Sequence, residues 1–156
     1  GILPVLSIRD NISVSVLDNL KSGISISRKK ENELAKSVIE TYDVKTPGSD
    51  KEIQFLSGGN QQKVIIGRAM ACKPKLLVFD EPTKGIDVGT KTEIYRLMKK
   101  LAEEEGIGII MISSEMEEIK KCSNRVVAMY EGKIAGEFDE YTEQQSILGA
   151  IIGVKS

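Results

Sequence analysis

Leu56-Ser57-Gly58-Gly59-Asn60-Gln61-Gln62-Lys63 sets a serine and two glycines directly ahead of a helix-like run, Gln61 to Cys72, with apolar residues at Val64, Ile65, Ala69 and Cys72. Such a junction leaves free backbone N–H groups and the positive end of a helix dipole aimed at one spot, which suits an anion and above all a phosphate. The same residues also fit an ordinary serine-capped helix with glycines serving a tight turn. Downstream, Leu76-Leu77-Val78-Phe79 is a short apolar run that ends in Asp80-Glu81-Pro82. The run predicts a buried strand. Two carboxylates at its end are costly in a low dielectric unless a cation or a reacting group stands there.

The elements that must position these groups follow from hydrophobic period. Ser7 offers a cap-like start to a helix carrying Ile8, Ile12, Val16, Leu17 and Leu20, although the alternation over 12–16 also fits a strand. Lys21 to Ser27 reads as a connection. From Arg28 a helical stripe runs through Leu34, Ala35, Val38, Ile39 and Tyr42. Thr46-Pro47-Gly48-Ser49-Asp50 breaks the chain before Ile53 to Leu56 leads into the serine–glycine junction. Residues 1–56 are therefore expected to form a small helical lobe, joined to the rest mainly through 45–56 and opening more readily than the strands.

The second half alternates strand and helix. Lys75 to Phe79 is the first strand, and Thr90 to Glu105 a helix with Ile94, Leu97, Met98, Leu101 and Ala102 on its buried face. Gly106 ends it, and Ile107 to Ile112 reads as a second buried strand. A short helix, Glu115 to Lys121, precedes strands Arg125 to Tyr130 and Lys133 to Phe138, joined as a hairpin at Glu131-Gly132. Thr142 and Gln145 have capping-box spacing for a last helix through Ile152. The pattern predicts an α/β fold: a mainly parallel sheet with flanking helices and a C-terminal hairpin.

Composition narrows the function classes. The 156 residues hold 40% hydrophobic side chains, enough for a real core, and a net charge of −1 gives no basic footprint for nucleic acid. There is no histidine, which excludes chemistry that needs one. Cys72 and Cys122 lie far apart, without metal-ligand spacing, and are expected to be reduced thiols. Gly1-Ile2-Leu3-Pro4 has no initiator Met and no polar lead-in, so the chain is expected to be a piece of a longer protein. No apolar run approaches the roughly 20 residues of a membrane span, and no signal peptide is expected.

The serine–glycine junction and the Asp80-Glu81 strand end, in that order, resemble the signature and Walker B motifs of ATP-binding-cassette ATPases. Leu-Ser-Gly-Gly-Asn-Gln-Gln-Lys (56–63), Asp-Glu-Pro-Thr-Lys-Gly-Ile-Asp-Val-Gly (80–89) and Ile-Ser-Ser-Glu-Met (112–116) are together similar to the second cassette of tandem-cassette ATPases that energise bacterial monosaccharide importers. The resemblance covers nearly the whole chain. It divides the chain into a helical subdomain, 1–56, and the C-terminal part of the ATPase core, 57–156. No segment matches the Gly-x-x-x-x-Gly-Lys-Ser/Thr P-loop.

What the resemblance implies is specific. Cofactors would be ATP and Mg²⁺, with Asp80 holding the metal through water and Glu81 polarising the attacking water. Ser57, Gly58, Gly59, Asn60 and Gln61 would face nucleotide, and Asp87 would be the acid of the D-loop, 83–87. Ser114 stands where most such ATPases carry a γ-phosphate-contacting histidine, a departure that puts hydrolysis at the Glu81 site in question. Ser114 could equally cap a helix that starts at Glu115, as Asp87 could serve a helix entry. Partners would be a first cassette in the same parent chain and transmembrane permease subunits, with no nucleic acid. The place would be cytoplasmic, peripheral to the inner face of the membrane. Whether the piece itself stays monomeric is left open, as are two rivals: a DNA-repair or chromosome-maintenance ATPase, and a non-catalytic dimerisation and coupling module.

Overall fold

The computed structural model describes residues 1–153. The chain divides into two compact units, one of residues 1–78 with 82–110, the other of 79–81 with the described residues from 111 on.

The first unit is built on α1 (Ile8–Ser13), α2 (Arg28–Thr41), α3 (Gly58–Ala71) and α4 (Val88–Glu103). Ser7 caps α1, its hydroxyl accepting from the Asp10 amide at 3.1 Å. The chain then tightens into a 3-10 turn over Leu17–Leu20, so the strand alternative over 12–16 does not form. The expected connection at 21–27 contains a two-residue hairpin, β1 (Lys21–Ser22) with β2 (Ser25–Ile26), turning at Gly23. Ile8, Ile12, Ala35, Val38, Val44, Ile53 and Val64 form one buried cluster. Each fully buried aliphatic side chain contributes about 1.5–3 kcal/mol.

This cluster corrects the expectation of a lobe tethered mainly by 45–56. Val64 belongs to α3 itself, so α1 and α2 are welded to the signature helix by shared burial. Gly67 lets α2 and α3 approach, because a Cβ there would overlap Val38 Cγ1. Polar groups buried inside the unit are hydrogen-bonded except Arg9 Nε, which is buried without a hydrogen-bond partner. Asn11, almost fully buried, donates to the carbonyls of Leu3 and Ser7 at 3.0 Å and accepts from the Leu3 amide at 2.9 Å. Buried Arg9 binds Asn32 Oδ1 at 3.1 Å and pairs with Asp50.

β3 (Leu76–Asp80) and β4 (Gly108–Ile112) form a two-stranded sheet. Gly108 N–H donates to the Lys75 carbonyl at 2.9 Å and Glu81 N–H to the Ile112 carbonyl at 2.9 Å, start beside start and end beside end, as in a parallel pair. This is the parallel component of the fold among the described residues. Neither strand is buried as its apolar composition suggested: Leu77 is covered, while Leu76, Val78, Ile110 and Ile112 are each about half exposed or more. With one neighbour strand apiece, these side chains have no second strand to flank them.

In the second unit α5 (Met116–Cys122) precedes the hairpin of β5 (Arg125–Tyr130) and β6 (Lys133–Asp139). Glu131 and Gly132 take φ +46° and +75°, the paired left-handed residues of a two-residue type I′ turn. Val126, Ala128 and, from α6 (Gln144–Ile151), Ile147 are buried. The capping box expected at Thr142 and Gln145 does not form. Glu143 is the N-cap, with no side-chain bond, because Thr142 Oγ1 donates instead to Asp139 Oδ1 at 2.8 Å. Asp139 also accepts from the Tyr141 amide at 3.0 Å, and these bonds, the Thr142 hydroxyl foremost, hold its carboxyl below the usual range.

Candidate functional site

The first group of predicted residues gathers at the start of α3. The helix begins at Gly58, three residues before the run that periodicity marked, because both glycines take up helical backbone and Ser57 is the cap. The Ser57 hydroxyl accepts from Asn60 Nδ2 at 2.8 Å and weakly from the Asn60 amide at 3.5 Å, which leaves its own proton to donate outward. The first intrahelical bond is Gln61 N–H to the Ser57 carbonyl at 2.9 Å, so the amides of Gly58 and Gly59 precede it. Ser57 and Gly58 are exposed. The result is a helix N-terminus with an exposed hydroxyl and unbonded first-turn amides, an arrangement that binds an anionic group.

Asn60 and Gln61 hold this loop in shape. Asn60 Oδ1 accepts from the Lys45 amide at 2.7 Å, and Gln61 Nε2 donates to the Leu56 carbonyl at 3.0 Å. Gly58 lies beside Ile86, to whose Cγ1 a Cβ at 58 would stand 3.7 Å. Ile86 closes a turn on the Thr83 carbonyl at 3.1 Å, with Gly85 at φ +75° supplying the left-handed position. Asp87 is the N-cap of α4: Oδ1 accepts from the Thr90 amide at 3.0 Å and Oδ2 from the Thr90 hydroxyl at 2.6 Å. The hydroxyl bond, followed by the amide bond, lowers the Asp87 carboxyl below the ordinary value. Thus 57–61 and 83–87 share one unit and touch.

The second group lies at the ends of β3 and β4. Asp80 is exposed at the last position of β3. Glu81 follows in the left-handed region at φ +47°. For a non-glycine residue that costs on the order of 1–3 kcal/mol, a strain concentrated at functional sites. It turns the side chain so that Oε1 accepts from the Ser114 amide at 3.0 Å. Ser114 does not cap the next helix. Its neighbour Ser113 accepts from the Glu115 amide at 3.0 Å and donates to buried Glu118 at 2.7 Å, and Glu115 is the formal N-cap. Asp80, Glu81 and Ser114 belong to the second unit, Ser57–Gln61 and Asp87 to the first.

Two residues matter here that sequence reasoning passed over. Lys63, though within the quoted motif, is buried. It donates to the Asp43 carbonyl at 3.2 Å and pairs with Glu93 at 2.8 Å, tying α3 to α4. Thr90 packs its methyl against Gly59. The Asp87-x-x-Thr90 spacing of a helix cap was the available signal for Thr90; nothing local marked Lys63 as buried. Among the described residues no group of three acidic or thiol side chains is placed to hold a metal ion. No helix among them is long and apolar enough to cross a membrane. Cys72 and Cys122 are free thiols, and burial, then the charge of Glu118, pushes the Cys122 thiol up.

Comparison with known proteins shows the family. Residues 2–84 match the ABC transporter family. The chain is 46% identical over 99% of its length to ribose import ATP-binding protein RbsA 2 of Rubrobacter xylanophilus, and 43% identical over 96% of its length to RbsA 1 of that organism. It spans 30% of the length of each. Among solved structures, the ATP-binding cassette MJ0796, dimeric and bound to ADP and Pi, matches with TM-score 0.72 at 24% identity, over 92% of this chain and 60% of that one. An inward-facing metal-chelate-type ABC transporter matches with TM-score 0.82 at 18% identity, over 98% of this chain and 60% of that one. At those identities the structures speak for the fold. The capped glycine helix, the acidic strand end and the match over more than half the chain make this a member of the ABC transporter ATPase family, homologous to sugar-import ATPases.

Proposed function

We propose that the chain is the C-terminal cassette portion of a tandem ATPase that drives import of a monosaccharide. The observation that carries this reading is the outward-facing Ser57–Gly58 helix end beside the Asp87 loop, in a chain 46% identical to a ribose import ATPase. Residues 1–56 serve as the helical subdomain and 57–156 as part of the ATPase core. ATP lies between this cassette and a first cassette of the same parent chain. Ser57, Gly58 and Gly59 complete the nucleotide site of that partner, with hydroxyl and amide donors directed to its γ-phosphate. Asn60 and Gln61 fix the shape of this surface, and Asp87 fixes the loop beside it. The assembly docks on permease subunits at the inner face of the membrane.

Asp80 and Glu81 belong to the other nucleotide site. A Mg²⁺ ion takes one or two carboxylates and completes its shell with water and phosphate. The exposed Asp80 carboxylate could supply one such ligand. When bound, the ion supplies charge neutralisation between phosphates. Glu81, with Oε1 anchored on the Ser114 amide, keeps a second oxygen to accept a proton from water. Ser114 brings a backbone amide where the family's histidine would bring a cation, so this site turns over poorly and the Ser57 surface serves the productive one.

The test has two parts. Full-length protein releases phosphate from Mg-ATP in a saturable way. The 156-residue chain, which holds no P-loop sequence, shows neither micromolar binding by calorimetry nor sustained release. Micromolar affinity in the isolated chain overturns the reading. Loss of labelled monosaccharide uptake in cells carrying S57R tests the transport assignment.

A further inference from the structure

The two signature glycines face opposite ways. Gly58 is exposed and Gly59 buried. A Cβ on Gly59 would overlap Thr90 Cγ2 and stand 3.2 Å from Thr90 Cβ. Gly59 is helical and has no positive φ, so a side chain is excluded there by space and not by backbone conformation. Thr90 reaches in two directions. Its methyl fills the volume that Gly59 leaves, and its hydroxyl donates to Asp87 Oδ2 at 2.6 Å. One turn further along both helices, Lys63 meets Glu93 at 2.8 Å. The seam between α3 and α4 is thus a pair of contacts, glycine against threonine, then lysine against glutamate.

We propose that Thr90 is a positioning residue for ATP turnover, setting the first turn of α3 against the Asp87 loop, and that Gly59 is glycine to admit the Thr90 methyl from within. The assignment rests on the reading of Ser57 and Gly58 as phosphate-facing donors. A Cβ at 59 pushes α3 off α4 and misdirects Ser57 and Gly58, although neither is altered. Loss of the Thr90 hydroxyl leaves Asp87 Oδ2 without that donor, with only the Thr90 amide still on Oδ1, and loosens the 83–87 loop, although the packing is kept.

The test is a double-mutant cycle in the full-length protein, read as Mg-ATP hydrolysis and melting temperature. G59A in the parental background is expected to lose at least about tenfold in kcat, with KM within about twofold. T90S removes the methyl and keeps the hydroxyl. In that background G59A costs less than about threefold relative to T90S alone, because the space for a Cβ now exists. T90V, which keeps the shape and drops the hydroxyl, lowers kcat and returns the Asp87 carboxyl toward its ordinary titration by carboxyl-carbon NMR. Equal loss from G59A in both backgrounds overturns the proposal, since the glycine would then be needed by something approaching from outside. A fully active G59A overturns it too. If G59A does not fold, recovery of a folded G59A/T90S protein supports it and failure of both overturns it. A parental protein without ATPase activity defeats the functional reading instead. The Gly59–Thr90 contact is then decided by melting temperature, upheld by rescue and overturned by additive losses.

Discussion

Glu81 Oε1 accepts the backbone N–H of Ser114 at 3.0 Å, across 33 residues of sequence, with Glu81 itself at φ +47°. The residue proposed as the water-activating acid is thus anchored by the one proposed to stand in the place of the family's histidine. Glu81→Gln keeps an acceptor at Oε1, so the fold survives while the proton-accepting carboxylate is lost. Ser57→Arg sets a cation on an exposed helix end, the one proposed to meet a phosphate. In full-length protein S57R is expected to abolish most phosphate release, and E81Q to cost far less. The opposite ranking shows that the two sites have been assigned the wrong way round.

Lys63→Met retains the buried aliphatic stem and removes the ammonium that joins α3 to Glu93 and to the Asp43 carbonyl. Glu93 is half exposed and returns to water, so the loss is that of a hydrogen bond and a partly screened pair, about 1–2 kcal/mol. Urea denaturation should show it as a lower midpoint with unchanged slope. Glu93→Gln added to K63M should cost less than it does alone.

Asp87 carries the pH dependence of the α4 cap. Its carboxyl titrates below the ordinary 3.8 because the Thr90 hydroxyl and then the Thr90 amide favour the charged form. A pKa lowered by folding contributes stability that is complete above the ordinary Asp range and disappears as pH falls through the lowered value. Asp87→Ala is therefore expected to melt below the parental protein at neutral pH, with the gap narrowing below about pH 4. A gap that widens in acid contradicts the cap geometry.

Amide exchange should run opposite to the expectation drawn from segment composition. Ile12, Val38 and Val64 sit in the shared core of α1, α2 and α3, while the Val78 and Ile110 side chains are exposed. The helical amides are expected to be the better protected set, because opening them exposes the core. Faster exchange in α2 than in β3 would restore the picture of a loosely tethered lobe.

The sequence by itself determined what short-range physics controls. The helical stripe of α2, the Glu131-Gly132 turn and the Ser57 cap depend on periodicity, backbone preference and bonds spanning a few residues, and all three are where the residues placed them. The order of signature and acidic strand end marked the family, because each chemistry needs its residue types consecutively. Tertiary structure alone decided the rest. Whether Leu76 and Val78 are covered depends on neighbouring strands, which an apolar run cannot disclose. That Thr142 turns its hydroxyl back to the Asp139 carboxylate, and that the helix starts at Glu143, is settled by where β6 ends. The two glycines at 58 and 59 are chemically identical in sequence. Only the packing of α4 makes one an exposed donor and the other the socket for Thr90, since a missing side chain acquires its meaning from what fills the space.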